Sequence, residues 1–227
     1  LVKIPAGSKP GDPAALEEAV RKYKPVAVVV TAGTTERGLV DPVKAAGEVA
    51  EETGTYLHVD AAYGGLIIPH LHQRGYIKEN LHFYPGVSSI TVDFHKVGMA
   101  PIPSSTLLLR EAGLRRYACF EASYTLAGET CGLLGTRPGG AVAAAWSVWK
   151  LLGWEGYGTV AEKMMSVALY MYEKLRGIDG VVVYEPILPI VVFKHREIPS
   201  TALLEKLLER KIYLYKSPSL DAVRAVI

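Results

Sequence analysis

The chain has 227 residues, 49% of them apolar, enough to bury a core and in the range of one large domain or a large and a smaller one. Its 25 Lys and Arg against 23 Asp and Glu leave a formal charge of +2, with no basic run or basic stripe interleaved with aromatics, which argues against a nucleic-acid partner. No uninterrupted apolar stretch of about 18 residues occurs, so a membrane partner is not expected and the composition reads as that of a soluble globular protein.

In chain order, the first expected element is a helix over residues 13–22. Ala15, Leu16, Ala19 and Val20 recur at helical spacing, and Asp12 before Pro13 is a good N-cap followed by a proline at the first helical position. Residues 26–30 form a short β-branched run without a polar face, the pattern of a parallel strand covered on both sides. Thr31 to Thr35 then reads as a loop, residues 42–53 as a second helix, and residues 56–59 as a second strand leading into Asp60. This order is a βαβ unit, which implies a right-handed crossover and parallel pairing. Two further strands are expected at 89–92 and 106–109, with His95 and Lys96 on the loop between them, and then long helices at 138–152 and 155–176. Beyond Gly177 the texture changes to short strands at 181–184 and 190–193, a helix near 200–210 and a strand at 212–215. The expected fold class is therefore α/β: a mostly parallel sheet flanked by helices over residues 1–177, and part of a smaller α+β domain over residues 178–227. The chain opens on Leu1-Val2-Lys3, without a methionine, and stops on Ala225-Val226-Ile227 within an apolar run, as expected of a fragment.

Cys119 and Cys131 match no zinc or CxxC spacing, so they read as packed or surface thiols in a reducing, cytoplasmic setting. His70, His72 and His82 lack a carboxylate or cysteine at ligand spacing, so no metal site is expected. Trp146, Trp149 and Leu152 read as helix core or a dimer contact.

Ligands of open α/β sheets gather just past the carboxyl ends of the strands. Here those ends carry Thr31 to Thr35, Asp60-Ala61-Ala62, and Asp93-Phe94-His95-Lys96. A carboxylate leaving one strand and a lysine leaving another suit pyridoxal phosphate: the amine condenses with the cofactor aldehyde, and the carboxylate keeps the pyridine nitrogen protonated. Ala62, Gly64 and Gly65 leave room for a flat ring. Taken singly, the aspartate could equally cap a turn and the lysine could be solvated.

The wording of three segments goes further. Thr31-Ala-Gly-Thr-Thr-Glu-Arg-Gly-Leu-Val-Asp41-Pro, His58-Val-Asp-Ala-Ala-Tyr-Gly-Gly65 and Ser89-Ile-Thr-Val-Asp-Phe-His-Lys96, in this order, resemble the group II pyridoxal-phosphate amino-acid decarboxylases of fold type I. Gly98 to Ser104 and Leu134-Gly-Thr-Arg-Pro-Gly-Gly140 look most like the archaeal L-tyrosine/L-aspartate decarboxylase branch. The resemblance implies Lys96 as the Schiff-base lysine and Asp60 as partner of the pyridine nitrogen. It further implies Ala62 against one ring face, Thr35 near cofactor and substrate carboxylate, and His95 beside the Schiff base. Tyr124 falls where the family keeps a mobile loop with a proton-donating tyrosine, although an ordinary packed tyrosine reads equally well. Thr136 and Arg137, before a helix start that favours a phosphate, would reach the neighbouring subunit of a homodimer with its active site at the interface. The family's Gly/Ser-rich phosphate loop and second ring-stacking residue are not found, so this polypeptide alone is expected to bind the cofactor weakly or not at all. The implied reaction is α-decarboxylation of an amino acid, aspartate to β-alanine or tyrosine to tyramine. Its rivals are a carbon–carbon lyase of the sphingosine-phosphate lyase type, which shares the Gly-Thr/Ser-Arg-Pro-Gly turn, and a non-catalytic scaffold, which has no need of Asp60 or Lys96.

Overall fold

The computed structural model describes residues 1–227 apart from 5, 7, 8, 127, 135 and 136. Helix α1 (Pro13–Tyr23) starts as its sequence dictates: the Asp12 carboxylate accepts from the Ala14 N–H at 3.0 Å, and Pro13 follows it. Strand β1 (Ala27–Thr31), helix α2 (Val43–Thr53) and strand β2 (Tyr56–Asp60) make the expected βαβ unit, with Ala27 opposite Tyr56 and Thr31 opposite Asp60 in parallel register. A short helix α3 (Ile68–Gln73) leads to β3 (Val87–Asp93), also parallel to β2. Strand β4 (Ser105–Leu109) returns antiparallel, and the sheet order is β1-β2-β3-β4.

Alternation along β2 sends Leu57 and Val59 into the core, both fully buried, together with Ile67, Ile68 and Leu71. Each such aliphatic side chain contributes roughly 1.5–3 kcal/mol. Gly47 of α2 is required by close approach, since a Cβ there would lie 2.4 Å from the Pro85 carbonyl oxygen. The expectation that β1 is covered on both sides is corrected. Val26 and Val29 are 93% and 65% exposed, because the helical layer of this chain lies against the opposite face of the sheet.

Strands β5 (Cys119–Glu121) and β6 (Glu129–Cys131) form a separate hairpin in which Cys119 stands directly opposite Cys131. Their sulfurs are bonded, so the expectation of two thiols is overturned. Cross-strand register brought them together, with Cα atoms 3.9 Å apart, and that proximity has no signature in a spacing of 12 residues. Helix α4 (Gly139–Arg176) is interrupted at Gly153, whose φ of 59° and ψ of −169° divide it where two helices are expected. Its second half presents Tyr157, Ala161, Met165 and Ala168 as one buried stripe, the first three in the core of the first sheet and Ala168 in that of the second.

The second sheet joins β7 (Val181–Tyr184), β8 (Ile190–His195), β9 (Tyr215–Ser217) and β10 (Ala222–Val226) in the antiparallel order β7-β8-β10-β9, with α5 (Ser200–Glu209) against it. The strand expected at 212–215 is displaced to 215–217, and the apolar run at the end of the chain forms an unforeseen inner strand, β10. No helix among the described residues is long and apolar enough to cross a membrane. Under native, non-reducing conditions, alkylation with iodoacetamide followed by mass spectrometry should find Cys119 and Cys131 unmodified. Both should become labelled after reduction, and labelling without reductant would contradict the bond.

Candidate active site

Three parallel strands, β1, β2 and β3, end at one edge of the sheet, on Thr31, Asp60 and Asp93. Past these ends lies a cavity of about 420 Å³, in the size range of small-molecule sites. Its walls include Thr35, Asp60, Ala62, Tyr63, Lys96 and Arg224. Four residues picked out from sequence, Thr35, Asp60, Ala62 and Lys96, are thus brought together.

Asp60 is the last residue of β2, and its carboxylate accepts from the Ala62 N–H at 3.1 Å. Two residues back on the same face, His58 shares hydrogen-bonding positions with Ser89 Oγ (2.8 Å) and Thr91 Oγ1 (3.3 Å). Burial lowers the pKa of His58 despite the opposing charge of Asp60, so the imidazole is neutral at pH 7 and leaves Asp60 uncompensated on its strand side.

Lys96 sits three residues beyond β3 in a turn fixed from several sides. Phe94 N–H donates to the Ser104 carbonyl at 2.8 Å and Ala100 N–H to the Phe94 carbonyl at 3.0 Å. From below, the fully buried Tyr157 donates its hydroxyl to the Gly98 carbonyl at 3.1 Å. The Lys96 ammonium pairs with Asp93 Oδ2 at 2.7 Å, and Ser105 donates to the other oxygen at 2.5 Å. Burial would raise the Asp93 carboxyl, but hydrogen bonds from Lys96 and Ser105 prevail and hold it below the usual carboxylate range.

The remaining expectations fare differently. His95 does not line the cavity; its Nε2 faces Asp93 Oδ2 at 3.4 Å, and its Nδ1 accepts from Ser104 N–H. Tyr124 is 85% exposed on the β5–β6 hairpin and is not in the cavity wall of this chain. Thr136 lies outside the described residues. Of the three histidines considered for a metal, His70 packs on Trp154 at 3.9 Å and His82 on Tyr84 at 3.7 Å between centroids. Sequence reasoning missed Arg224 and Tyr63. Arg224 belongs to the unforeseen strand β10; its Nη1 donates to the Thr35 carbonyl, and its buried Nε has no partner among the described residues. Tyr63 donates to the Pro189 carbonyl at 3.1 Å, and burial pushes its phenol pKa well up. The neighbouring Asp60-Ala61-Ala62 motif was the available signal for Tyr63; Arg224 had none.

An amine and a carboxylate on the wall of one cavity, at strand ends and beside a side chain as small as Ala62, define an α/β site built for a carbonyl cofactor. Residues 10–196 match the pyridoxal-dependent decarboxylase conserved domain. The chain belongs to that family, whose cofactor is pyridoxal phosphate. It is 39% identical over 214 residues to a probable L-tyrosine/L-aspartate decarboxylase of Methanothermobacter thermautotrophicus, covering 92% of this chain and 59% of the relative. It is 36% identical over 216 residues to the L-tyrosine/L-aspartate decarboxylase of Methanocaldococcus jannaschii, covering 93% and 54%. The chain therefore spans little more than half the length of these relatives. Among solved structures, a sphingosine-1-phosphate lyase of Burkholderia pseudomallei superposes with a TM-score of 0.88 at 29% identity, over 99% of this chain and 52% of that one. Glutamate decarboxylase of Lactobacillus brevis, at 22% identity and a TM-score of 0.77 over 95% and 54%, shares the fold.

The residues present fit the cofactor. Lys96 would supply the amine, Asp60 would meet the ring nitrogen and Ala62 would leave space for the ring. Replacing Asp93 by Asn should cost about 1–3 kcal/mol in urea unfolding at pH 7, since it removes a mostly buried, hydrogen-bonded charge. The depressed pKa makes this contribution present above the ordinary carboxyl range and lost as pH falls through the native value. The gap between Asp93→Asn and wild type should therefore close in acid; a gap that is unchanged or wider at low pH would refute the assignment.

Proposed function

We propose that the enzyme this chain belongs to decarboxylates an L-amino acid at the α-carbon, converting aspartate to β-alanine or tyrosine to tyramine. The observation that carries the reading is Lys96 and Asp60 on the wall of one cavity, in a chain of this family. When bound, pyridoxal phosphate supplies an aldehyde for amines and a ring that takes up the electron pair left as carbon dioxide departs. The protein's part is orientation and charge. Asp60 holds a proton at the ring nitrogen, with neutral His58 behind it offering no competing cation. Lys96 delivers its amine from a turn anchored by Tyr157, and Asp93 takes the ammonium whenever the lysine is released.

Arg224 is the cavity's carboxylate partner in this reading, because its guanidinium belongs to the cavity wall and can offer charge-assisted bonds to an anionic substrate group. Thr35 lies beside it and would bound the same group. Tyr124 returns the proton to the α-carbon, reaching the cavity of a neighbouring subunit from its exposed hairpin. That reach goes with a homodimer whose active site lies at the interface; Thr136 would serve the cofactor there, and His95, outside this chain's cavity wall, would act through Asp93. The exposed Leu133, Leu134, Trp146 and Leu151 supply apolar surface for such a contact. Residues 1–177 act as the cofactor-binding unit and 178–227 as the smaller unit that closes the cavity. A cytoplasmic location goes with free amino acids as substrates; the Cys119–Cys131 bond suits it only in an organism that keeps intracellular disulfides, as hyperthermophiles do.

The likeness to the sphingosine-1-phosphate lyase favours carbon–carbon cleavage as the alternative. The two separate by product: full-length protein with L-aspartate or L-tyrosine should release carbon dioxide and the amine, whereas cleavage of a phosphorylated long-chain base without carbon dioxide would establish a lyase. Borohydride reduction of the holoenzyme should fix the cofactor on Lys96, and Lys96→Ala should lose the adduct and at least about 1000-fold in kcat. A cofactor adduct on another lysine would refute the site.

A further inference from the structure

Arg224 does not stand in the cavity wall by its own strand alone. Strand β10 pairs with β9 so that Tyr215 faces Arg224 and Ser217 faces Ala222, and the turn between the strands meets the loop after β1. There Glu36 accepts from Ser217 Oγ at 2.7 Å, from Ser219 N–H at 3.3 Å and from the Ser219 hydroxyl. Ser217 is fully buried, so its hydroxyl depends on the glutamate for a partner. The adjacent residue grips the same strand pair from the other end, since the Thr35 carbonyl accepts from Arg224 Nη1. Two consecutive residues of one loop thus hold the turn and the guanidinium together. Thr35 also lines both the main cavity and a second one of about 230 Å³ in which Glu36 and Ser219 take part. Although burial opposes it, the serine hydrogen bonds keep the Glu36 carboxyl below its ordinary pKa, so it is an anion at neutral pH.

We propose that Glu36 is a positioning residue: it latches the β9–β10 turn onto the loop after β1 and thereby sets Arg224 in the cavity wall. The proposal rests on the reading of Arg224 as the partner of a substrate carboxylate. Without the latch the two sheets would still fold on their own cores, but the guanidinium would keep only the Thr35 carbonyl and the Tyr215 ring, 5.4 Å from its Cζ and itself on the unlatched strand pair. The consequence is a loss in substrate capture rather than in the bond-breaking step, because Lys96 and Asp60 stand on the first sheet and do not move with β10.

The test is steady-state decarboxylation of L-aspartate and L-tyrosine by the full-length holoenzyme, with thermal midpoints of each variant. Glu36→Ala should raise KM about 10-fold with kcat changed less than about 3-fold, and Glu36→Gln, which keeps an acceptor oxygen, should recover most of the loss. Ser217→Ala with Ser219→Ala unlatches the turn from the other side and should reproduce the KM effect, which covers the case in which Glu36→Ala fails to fold. On an Arg224→Ala background, itself raising KM, Glu36→Ala should add almost nothing. A full additive loss, or an unchanged KM in both unlatched variants while Arg224→Ala raises it, would overturn the latch and leave the reading of Arg224 intact. An unchanged KM in Arg224→Ala would instead remove that reading and the latch with it.

Discussion

Parallel pairing of β1, β2 and β3 is the constraint on which the rest of the structure depends. Because successive strands run the same way and each crossover passes over one face, their carboxyl ends meet at a single edge, and Thr31, Asp60 and Asp93 arrive there together. Register carries chemical weight here. Strand alternation puts Asp60 on the face opposite Leu57 and Val59, so a slip of one residue would drive its carboxylate into the core. The hydrophobic burial that fixes the sheet therefore also fixes the acidic end of the site.

Charges then divide the work among neighbouring strand ends. Asp93 engages Lys96 directly at 2.7 Å, while Asp60 accepts from the Ala62 N–H. Two carboxylates of the same sheet edge thus stand apart: one pairs with the lysine amine, and the other is the one proposed to meet a cationic ring nitrogen. Neutral His58 matters to this division, since a protonated imidazole in the same row would compete for Asp60. The Tyr157 hydroxyl, buried beneath the lysine turn, ties the chemistry to α4 and so to both sheets.

The first half of this arrangement was legible in the sequence because local signals and tertiary environment agree there. Asp12-Pro13, the β-branched run before Thr31, and Asp60 following Val59 each specify one local outcome, and the three ordered motifs pointed to the cofactor. The rest depended on pairings between distant segments. Whether Val29 is covered depends on a layer this chain does not place there. Cys119 and Cys131 met through a ladder of three residue pairs, and 222–226 became an inner strand only because 190–193 stood ready to pair with it. Arg224, a single arginine in a terminal apolar run, could not be told from a surface charge until β8 and β9 enclosed it.

That contrast has a functional logic. The groups proposed to make bonds, Lys96 and Asp60, lie at the ends of strands whose register is fixed by the larger core. The guanidinium proposed to meet the substrate is borne by the second sheet, and residues 35 and 36 fasten that strand to the loop after β1. Such contacts can change without disturbing the first core, so on the proposed reading the substrate-facing groups can vary while Lys96 and Asp60 keep their places. In the proposed reading, substrate capture depends on how the second sheet is fastened to the first, and the Glu36 loop takes part in that fastening.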